Sequence, residues 1–124
     1  MDDMMMQAQE TFINESLDLL QEMETSLNLL SDQPDDEELI NSVFRAAHTI
    51  KGSAGLFGFD AIVAFTHKVE NVLDEVRAGE VKIDDGLIAV LLECRDHIEA
   101  MIEAIGADAD PALSAVSDLS LIHI

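Results

Sequence analysis

The sequence predicts an all-α protein, an up-down four-helix bundle followed by a short fifth C-terminal helix. Apolar residues recur at helical spacing in four long segments, polar turns separate those segments, and none alternates with the period of two typical of a strand. With 124 residues and 48% hydrophobic content, we expect a single domain over residues 1–124. The bundle is predicted at 4–106 and the extra helix and tail at 110–124.

The first two helices are predicted from their start and stop signals. The first runs from residue 4 to Leu30 and ends ahead of Pro34. Asp35, with Glu38 three residues later, resembles a capping box, so the second helix is predicted to begin there. Its apolar stripe continues to the Gly-containing turn at 55–60.

The remaining helices begin at aspartates. Asp60 is predicted as the N-cap of the third helix, and the fourth is predicted to start after Asp84 or Asp85. Asp110-Pro111 indicates the short fifth helix, because proline is favoured in a first helical turn.

The charge of the chain excludes several classes of partner. Six basic residues against 26 acidic ones give a formal net charge of -20, which repels nucleic acid and anionic membrane surfaces. No segment approaches the roughly 18 apolar residues of a membrane span. Cys94, the single cysteine, lies on the apolar stripe of the fourth helix and is interpreted as a small buried hydrophobe. We therefore expect a cytoplasmic, monomeric domain.

A histidine followed by small residues is the main candidate for function. His48 lies at the border of the second helix's apolar stripe, roughly 110° from its centre. Gly52 follows one turn later on the same face and Gly55 comes soon after, although each glycine costs the helix about 1 kcal/mol relative to alanine. We interpret the two glycines as steric clearance that leaves the imidazole open to a macromolecular partner.

Residues of the third helix are predicted to lie beside His48. Two helices joined by a tight turn pack antiparallel, and positions 48 and 70 are equidistant from that turn, as are 51 and 67. His48 is therefore predicted to lie level with Glu70, and Lys51 with His67. If Glu70 accepts a hydrogen bond from one ring nitrogen, the other nitrogen is left unprotonated as an oriented nucleophile.

Basic residues concentrate around this predicted cluster. Four of the six lie on the second and third helices, and they are Arg45, Lys51, Lys68 and Arg77. Lys51, one turn from His48, together with Arg45 and Lys68, suits an anionic phosphoryl group on the ring. Arg77 is interpreted as an ordinary solvated residue.

Other site chemistries are less well supported by the residues. His67 and Glu70 are three apart, as in carboxylate-bundle metal sites, but both lie off the core stripe and no matching second unit exists, so no metal is expected. No phosphate-cradling glycine loop or nucleotide fingerprint is present, so no cofactor is expected to bind this chain. His67 could also be an ordinary surface histidine, and His97 receives no role.

Two segments, His48–Gly55 and Thr66–Arg77, resemble the histidine phosphotransfer domain family. With the turn between them, they resemble more narrowly the N-terminal phosphoryl-accepting domain of chemotaxis histidine kinases of the CheA type. The resemblance extends from Glu10 to Gly106 and weakens beyond.

The resemblance implies a role for each residue. His48 matches the phosphoryl acceptor, Glu70 the carboxylate bonded to it, and Lys51 and His67 the supporting residues. A separate kinase domain, using ATP and Mg²⁺, would phosphorylate His48, and the phosphoryl group would pass to an aspartate of a response regulator receiver domain. The chain would then be part of a histidine kinase, without its own ATP-binding catalytic domain. A stand-alone phosphorelay protein and a non-catalytic helical adaptor remain the alternatives.

Overall fold

The structure is a computed structural model that describes residues 2–106, and these residues form four helices. They are α1 (Asp2–Leu30), α2 (Glu37–Leu56), α3 (Asp60–Arg77) and α4 (Asp85–Gly106). Each helix packs against its neighbour in sequence, and α4 packs back against α1. The predicted up-down four-helix bundle is confirmed over these residues, whereas the predicted fifth helix lies outside the described residues.

The core is built from the apolar stripes of all four helices. Its largest fully buried side chains include Leu20 and Met23 of α1, Ile50 of α2, Phe65 of α3 and Ile98 of α4. Cys94 is also fully buried, and burial together with the charge of Glu93 raises the pKa of its thiol to about 12. The interpretation of Cys94 as a small buried hydrophobe is therefore confirmed.

The N-terminus of α2 differs from the prediction by one residue. Asp36, not Asp35, is the N-cap, and its carboxylate accepts hydrogen bonds from the backbone N–H groups of Glu38 at 3.0 Å and Leu39 at 3.3 Å. Asp35 lies inside a turn that is closed by the bond from the Asp36 N–H to the Gln33 carbonyl at 3.1 Å. Asp35 is part of this turn and does not cap the helix, so the N-cap is one residue later.

The start of α3 also differs from the prediction. Asp60 is the first helical residue, the N-cap position is Phe59, and no side chain caps the helix. Ring packing holds the turn instead, because Phe57 and Phe59 lie with their centroids 5.4 and 5.6 Å from that of Phe12. At α4 the prediction of a start after Asp84 is confirmed, since the Asp84 carboxylate accepts from the Leu87 N–H at 2.7 Å.

The turn between α2 and α3 determines how the two helices align. The backbone N–H groups of Phe57 and Phe59 both donate to the Ala54 carbonyl, at 3.2 and 3.1 Å. Gly58 between them adopts a positive φ of 73°, which glycine reaches without steric cost. Three residues therefore reverse the chain, and α3 runs back along α2 with residues equidistant from the turn at the same height.

Arg95 is a buried charge that the apolar pattern did not indicate. Its Nε donates to the Leu20 carbonyl at 2.9 Å, which ties α4 to α1. Its guanidinium also pairs with Asp96 at 2.7 Å and Glu99 at 3.1 Å, and lies 3.8 Å from Glu24. Burial opposes the charged form, but these carboxylates outweigh it and raise the pKa of Arg95. Across residues 2–106, no helix is both long and apolar enough to cross a membrane.

Candidate functional site

An exposed histidine and a buried carboxylate meet on the shared face of α2 and α3. The Nδ1 atom of His48 lies 2.6 Å from Oε2 of Glu70. The side chain of His48 is 63% exposed, whereas that of Glu70 is only 5% exposed. A carboxylate can only accept, so Nδ1 carries the proton and donates it. In the neutral ring the lone pair is then on Nε2, which is free to act as a nucleophile.

Lys51 completes the surroundings of the carboxylate. Its ammonium contacts Oε1 of Glu70, so each carboxylate oxygen has a different partner. Burial on its own raises the pKa of Glu70, but the hydrogen bonds and positive charges of Lys51 and His48 outweigh it, and the pKa is lowered from its ordinary value. Glu70 is therefore ionised at neutral pH and holds a negative charge against Nδ1–H.

The alignment predicted from the turn is only partly reproduced by the side chains. His48 and Glu70 meet as predicted. Lys51 was predicted to lie level with His67, but its flexible side chain brings the ammonium to the buried carboxylate instead. His67 lies on the exposed side of α3, and nothing within residues 2–106 bonds it to Lys51 or Glu70. Arg45 and Lys68 are exposed on the same two helices.

The glycines next to His48 are not required by packing. A Cβ atom built on Gly52 would meet nothing within 4 Å, and one built on Gly55 would meet only Cγ2 of Val63 at 4.0 Å. Both lie inside α2, where alanine is the better helix former. The interior of the bundle therefore gives no reason for either glycine, and the open surface beside His48 is what a larger side chain would occupy.

Phe44, which contacts His48, and Arg77, which contacts Phe44, were not assigned to the site from the sequence. The ring of Phe44 lies parallel to the imidazole, with centroids 5.9 Å apart and an interplanar angle of 10°. The guanidinium carbon of Arg77 lies 4.2 Å from the centroid of the Phe44 ring, and Arg77 pairs with Asp74 at 3.6 Å. Arg77 is exposed, as expected for a solvated residue, and in addition contacts Phe44 and Asp74, which the sequence did not indicate. Phe44 could have been found because it precedes His48 by four residues, one helical turn.

The other titratable clusters offer no comparable site. No group of three or more His, Cys, Asp or Glu side chains arranged to hold a metal occurs within the described residues. His97 is buried in the core, with its ring centroid 4.4 Å from that of Phe65. It is therefore shielded from a large partner, in contrast to His48.

The bundle and its histidine define a class of protein. Residues 7–108, which make up most of the chain, match the Hpt domain family. The chain therefore belongs to the Hpt domain family.

Similar proteins within that family include chemotaxis proteins. The chain is 38% identical over 110 residues to the chemotaxis protein CheA of Bacillus subtilis, and 42% identical over 103 residues to that of Salmonella typhimurium. These matches cover 87% and 82% of this chain but only 16% and 15% of those proteins. The chain is thus a CheA-type Hpt domain that spans about a sixth of the length of these relatives.

Solved structures agree with this assignment. The CheA phosphotransferase domain from Thermotoga maritima superposes with a TM-score of 0.77 at 38% identity, covering 81% of this chain and 95% of that one. The phosphorylated P1 domain of CheA3, in complex with CheY6 from R. sphaeroides, gives a TM-score of 0.76 at 23% identity, covering 94% of this chain and 98% of that one. The second comparison supports the fold alone.

Proposed function

We propose that this domain is the phosphoryl-accepting module of a CheA-type chemotaxis kinase, with His48 as the acceptor. A separate ATP-binding kinase domain phosphorylates His48, and the phosphoryl group passes on to an aspartate of a response regulator. The observation that carries the proposal is the 2.6 Å contact from Nδ1 of the exposed His48 to the buried carboxylate of Glu70. It leaves the nucleophilic lone pair on the nitrogen that points away from the carboxylate.

In the first step the lone pair of Nε2 attacks the γ-phosphorus of ATP. The bond from that phosphorus to the bridging oxygen breaks, and ADP leaves with the electron pair. The ring becomes a phosphorylated imidazolium that keeps its proton on Nδ1. Glu70, ionised and bonded to Nδ1–H, stabilises this developing positive charge.

In the second step a carboxylate oxygen of the receiver attacks the phosphorus. The phosphorus–Nε2 bond breaks and its electron pair returns to Nε2, which restores the neutral ring. Lys51 balances the charge of Glu70, and the exposed cations Arg45 and Lys68 lie on the same pair of helices, where an anionic phosphoryl group would be attached. His67 remains a candidate supporting residue on the exposed side of α3.

The proposed function requires a kinase domain that supplies the phosphoryl group and a response regulator that accepts it. The partner domains bind and use ATP and Mg²⁺, and we expect the domain itself to bind no cofactor. The face around His48 is left clear by Gly52 and Gly55, which fits two successive macromolecular partners. The P1 domain of CheA3 with CheY6 is a precedent for such a complex on this fold. We place the domain in the cytoplasm, where ATP is available, as a monomer when it is isolated.

The proposal is tested by incubating the domain with a CheA-type kinase domain and labelled ATP. Wild type is expected to acquire acid-labile, base-stable phosphate, and His48→Gln is expected to acquire none while remaining folded by circular dichroism. His67→Gln is the matched control, because it removes the other exposed imidazole of the pair of helices and leaves the acceptor in place, and it is expected to be labelled more slowly but to the same extent. Labelling of His48→Gln would overturn the proposal. Absence of label on wild type, with a kinase domain active on its own substrate, would favour the adaptor instead.

A further inference from the structure

The hydrogen bond to Glu70 does not by itself fix the orientation of the His48 ring. It holds one atom, Nδ1, and the imidazole can still swing about that contact because the side chain is 63% exposed. Attack on phosphorus needs the Nε2 lone pair to point along one direction, and small errors in alignment are costly. A second contact that restricts the plane of the ring would supply what the hydrogen bond lacks.

Phe44 provides such a contact. It precedes His48 by one turn of α2, and its ring lies within 10° of parallel to the imidazole at a centroid distance of 5.9 Å. This distance and the near-parallel planes are typical of an offset-stacked aromatic pair. Phe44 is itself partly buried and packs against the hydrophobic core, so its ring is a stable surface for the exposed imidazole.

Arg77 braces Phe44 from α3. Its guanidinium carbon lies 4.2 Å from the centroid of the Phe44 ring, within the range of a cation–π contact. Arg77 lines one surface pocket together with Asn41 of α2, so it approaches Phe44 from the N-terminal end of α2, whereas His48 follows Phe44 on the C-terminal side. Asp74, one turn earlier on α3, holds the guanidinium by an ion pair at 3.6 Å.

We propose that Phe44, braced by Arg77, is a positioning residue that fixes the plane of the His48 imidazole. Glu70 then selects the nitrogen that carries the proton, and Phe44 sets the direction in which Nε2 points. The inference rests on the proposed function of His48 as phosphoryl acceptor. Neither Phe44 nor Arg77 touches the reacting atoms, so their effect falls on the rate of the chemical step and not on association with the kinase domain.

The test compares Phe44→Leu with Phe44→Tyr, which keeps the stacked ring. We expect Phe44→Leu to lower kcat for labelling about threefold to tenfold at an unchanged KM, since an aromatic pair contributes this order of stabilisation. Phe44→Tyr is expected to restore kcat. Leu39→Ala is the control for lost packing, because Leu39 is another partly buried apolar side chain of α2 and lies more than two turns before His48, and it is expected to leave kcat unchanged.

A second variant acts at the surface and does not disturb packing. Arg77 is exposed, so Arg77→Gln is expected to fold like wild type and to lower kcat about twofold. Lys82→Gln, another exposed cation, is its control for lost charge and is expected to have no effect.

A measurement without any kinase keeps the two proposals distinguishable. Carbon-13 relaxation of the ring C–H groups of His48 is expected to show a restricted imidazole in wild type and a more mobile one in Phe44→Leu, whereas the Nδ1–H tautomer, which Glu70 selects, is expected in both. A change confined to KM, or an unchanged kcat and an unchanged ring mobility in Phe44→Leu, would overturn the positioning role. If wild type is not labelled but the ring mobility still depends on Phe44, the proposed function fails and the positioning of the ring stands.

Discussion

Replacement of Glu70 by alanine is expected to slow phosphorylation of His48 while leaving the bundle folded. The variant removes the acceptor for Nδ1–H and the negative charge that stabilises the imidazolium. It leaves Lys51 without its partner, but that side chain is 26% exposed and can be hydrated.

The size of the effect follows from the burial of each partner. A hydrogen bond to a charged group contributes about 1.5–3 kcal/mol. Because the His48 side chain is 63% exposed, water replaces part of the lost interaction, and the low end of that range applies. At 1.36 kcal/mol for each factor of ten, labelling is expected to slow about tenfold. The free energy of unfolding is expected to fall by only about 1 kcal/mol, because the exposed His48 can form hydrogen bonds with water once Glu70 is removed.

The assay is single-turnover labelling by a saturating CheA-type kinase domain, with urea unfolding of the same samples. Glu75→Ala, which removes an exposed carboxylate from the same helix, is the control and is expected to label like wild type. A wild-type rate for Glu70→Ala in a folded sample would show that the kinase domain, and not Glu70, orients the ring.

Wild type and Glu70→Gln give a pH test of the same carboxylate. Burial opposes ionisation of Glu70, but Lys51 and His48 lower its pKa from the ordinary value of 4.5. A carboxyl whose pKa is lowered on folding stabilises the protein above its unfolded pKa, and this contribution is lost as pH falls through the folded pKa. The stability difference between wild type and Glu70→Gln is therefore expected to be constant above pH 6 and to shift against wild type below about pH 4.5. A pH-independent difference would contradict the stabilised carboxylate.

Three further predictions concern residues other than His48 and Glu70. Gly52→Ala is expected to raise the free energy of unfolding, measured in urea, by about 0.5–1 kcal/mol, since nothing lies within 4 Å of its Cβ. Gly52→Leu is expected to fold but to be labelled more slowly, whereas Ala100→Leu, on the exposed side of α4, is expected to be labelled like wild type. Normal labelling of Gly52→Leu would contradict the clearance role. The thiol of Cys94, with its pKa raised to about 12 by burial, is expected to react with a disulfide reagent only as fast as the domain opens, so rapid reaction in native conditions would refute its burial. Arg95→Met is expected to lower stability by about 1–2 kcal/mol through loss of the bond to the Leu20 carbonyl, with an unchanged labelling rate.

Regular helices explain why much of the site could be predicted from the sequence. The position of every residue on a helix follows from its number, and a three-residue turn leaves little freedom in the alignment of α2 with α3. The contact between His48 and Glu70 could therefore be predicted without coordinates. The N-cap of α2 could not, because Asp35 and Asp36 are chemically equivalent, and only the turn closed on Gln33 decides between them.

Long flexible side chains account for the remaining differences. Lys51 has four rotatable bonds, and its backbone position does not determine which carboxylate its ammonium reaches. Arg77 contacts the face of the Phe44 ring for the same reason, and no local sequence pattern indicates this contact. Arg95 occupies a buried position that an apolar pattern assigns to a hydrophobic residue, and only the backbone carbonyl of Leu20 and the surrounding carboxylates make its burial possible.

NMR of the labelled domain locates the phosphoryl group and decides whether Nε2 of His48 is the acceptor. Phosphorus-31 and nitrogen-15 spectra of the domain labelled by a CheA-type kinase domain are predicted to show one phosphoryl group, bonded to Nε2 of His48, with the proton retained on Nδ1 beside Glu70. A phosphoryl group on Nδ1 of His48, or on His67, would show that Nε2 of His48 is not the acceptor.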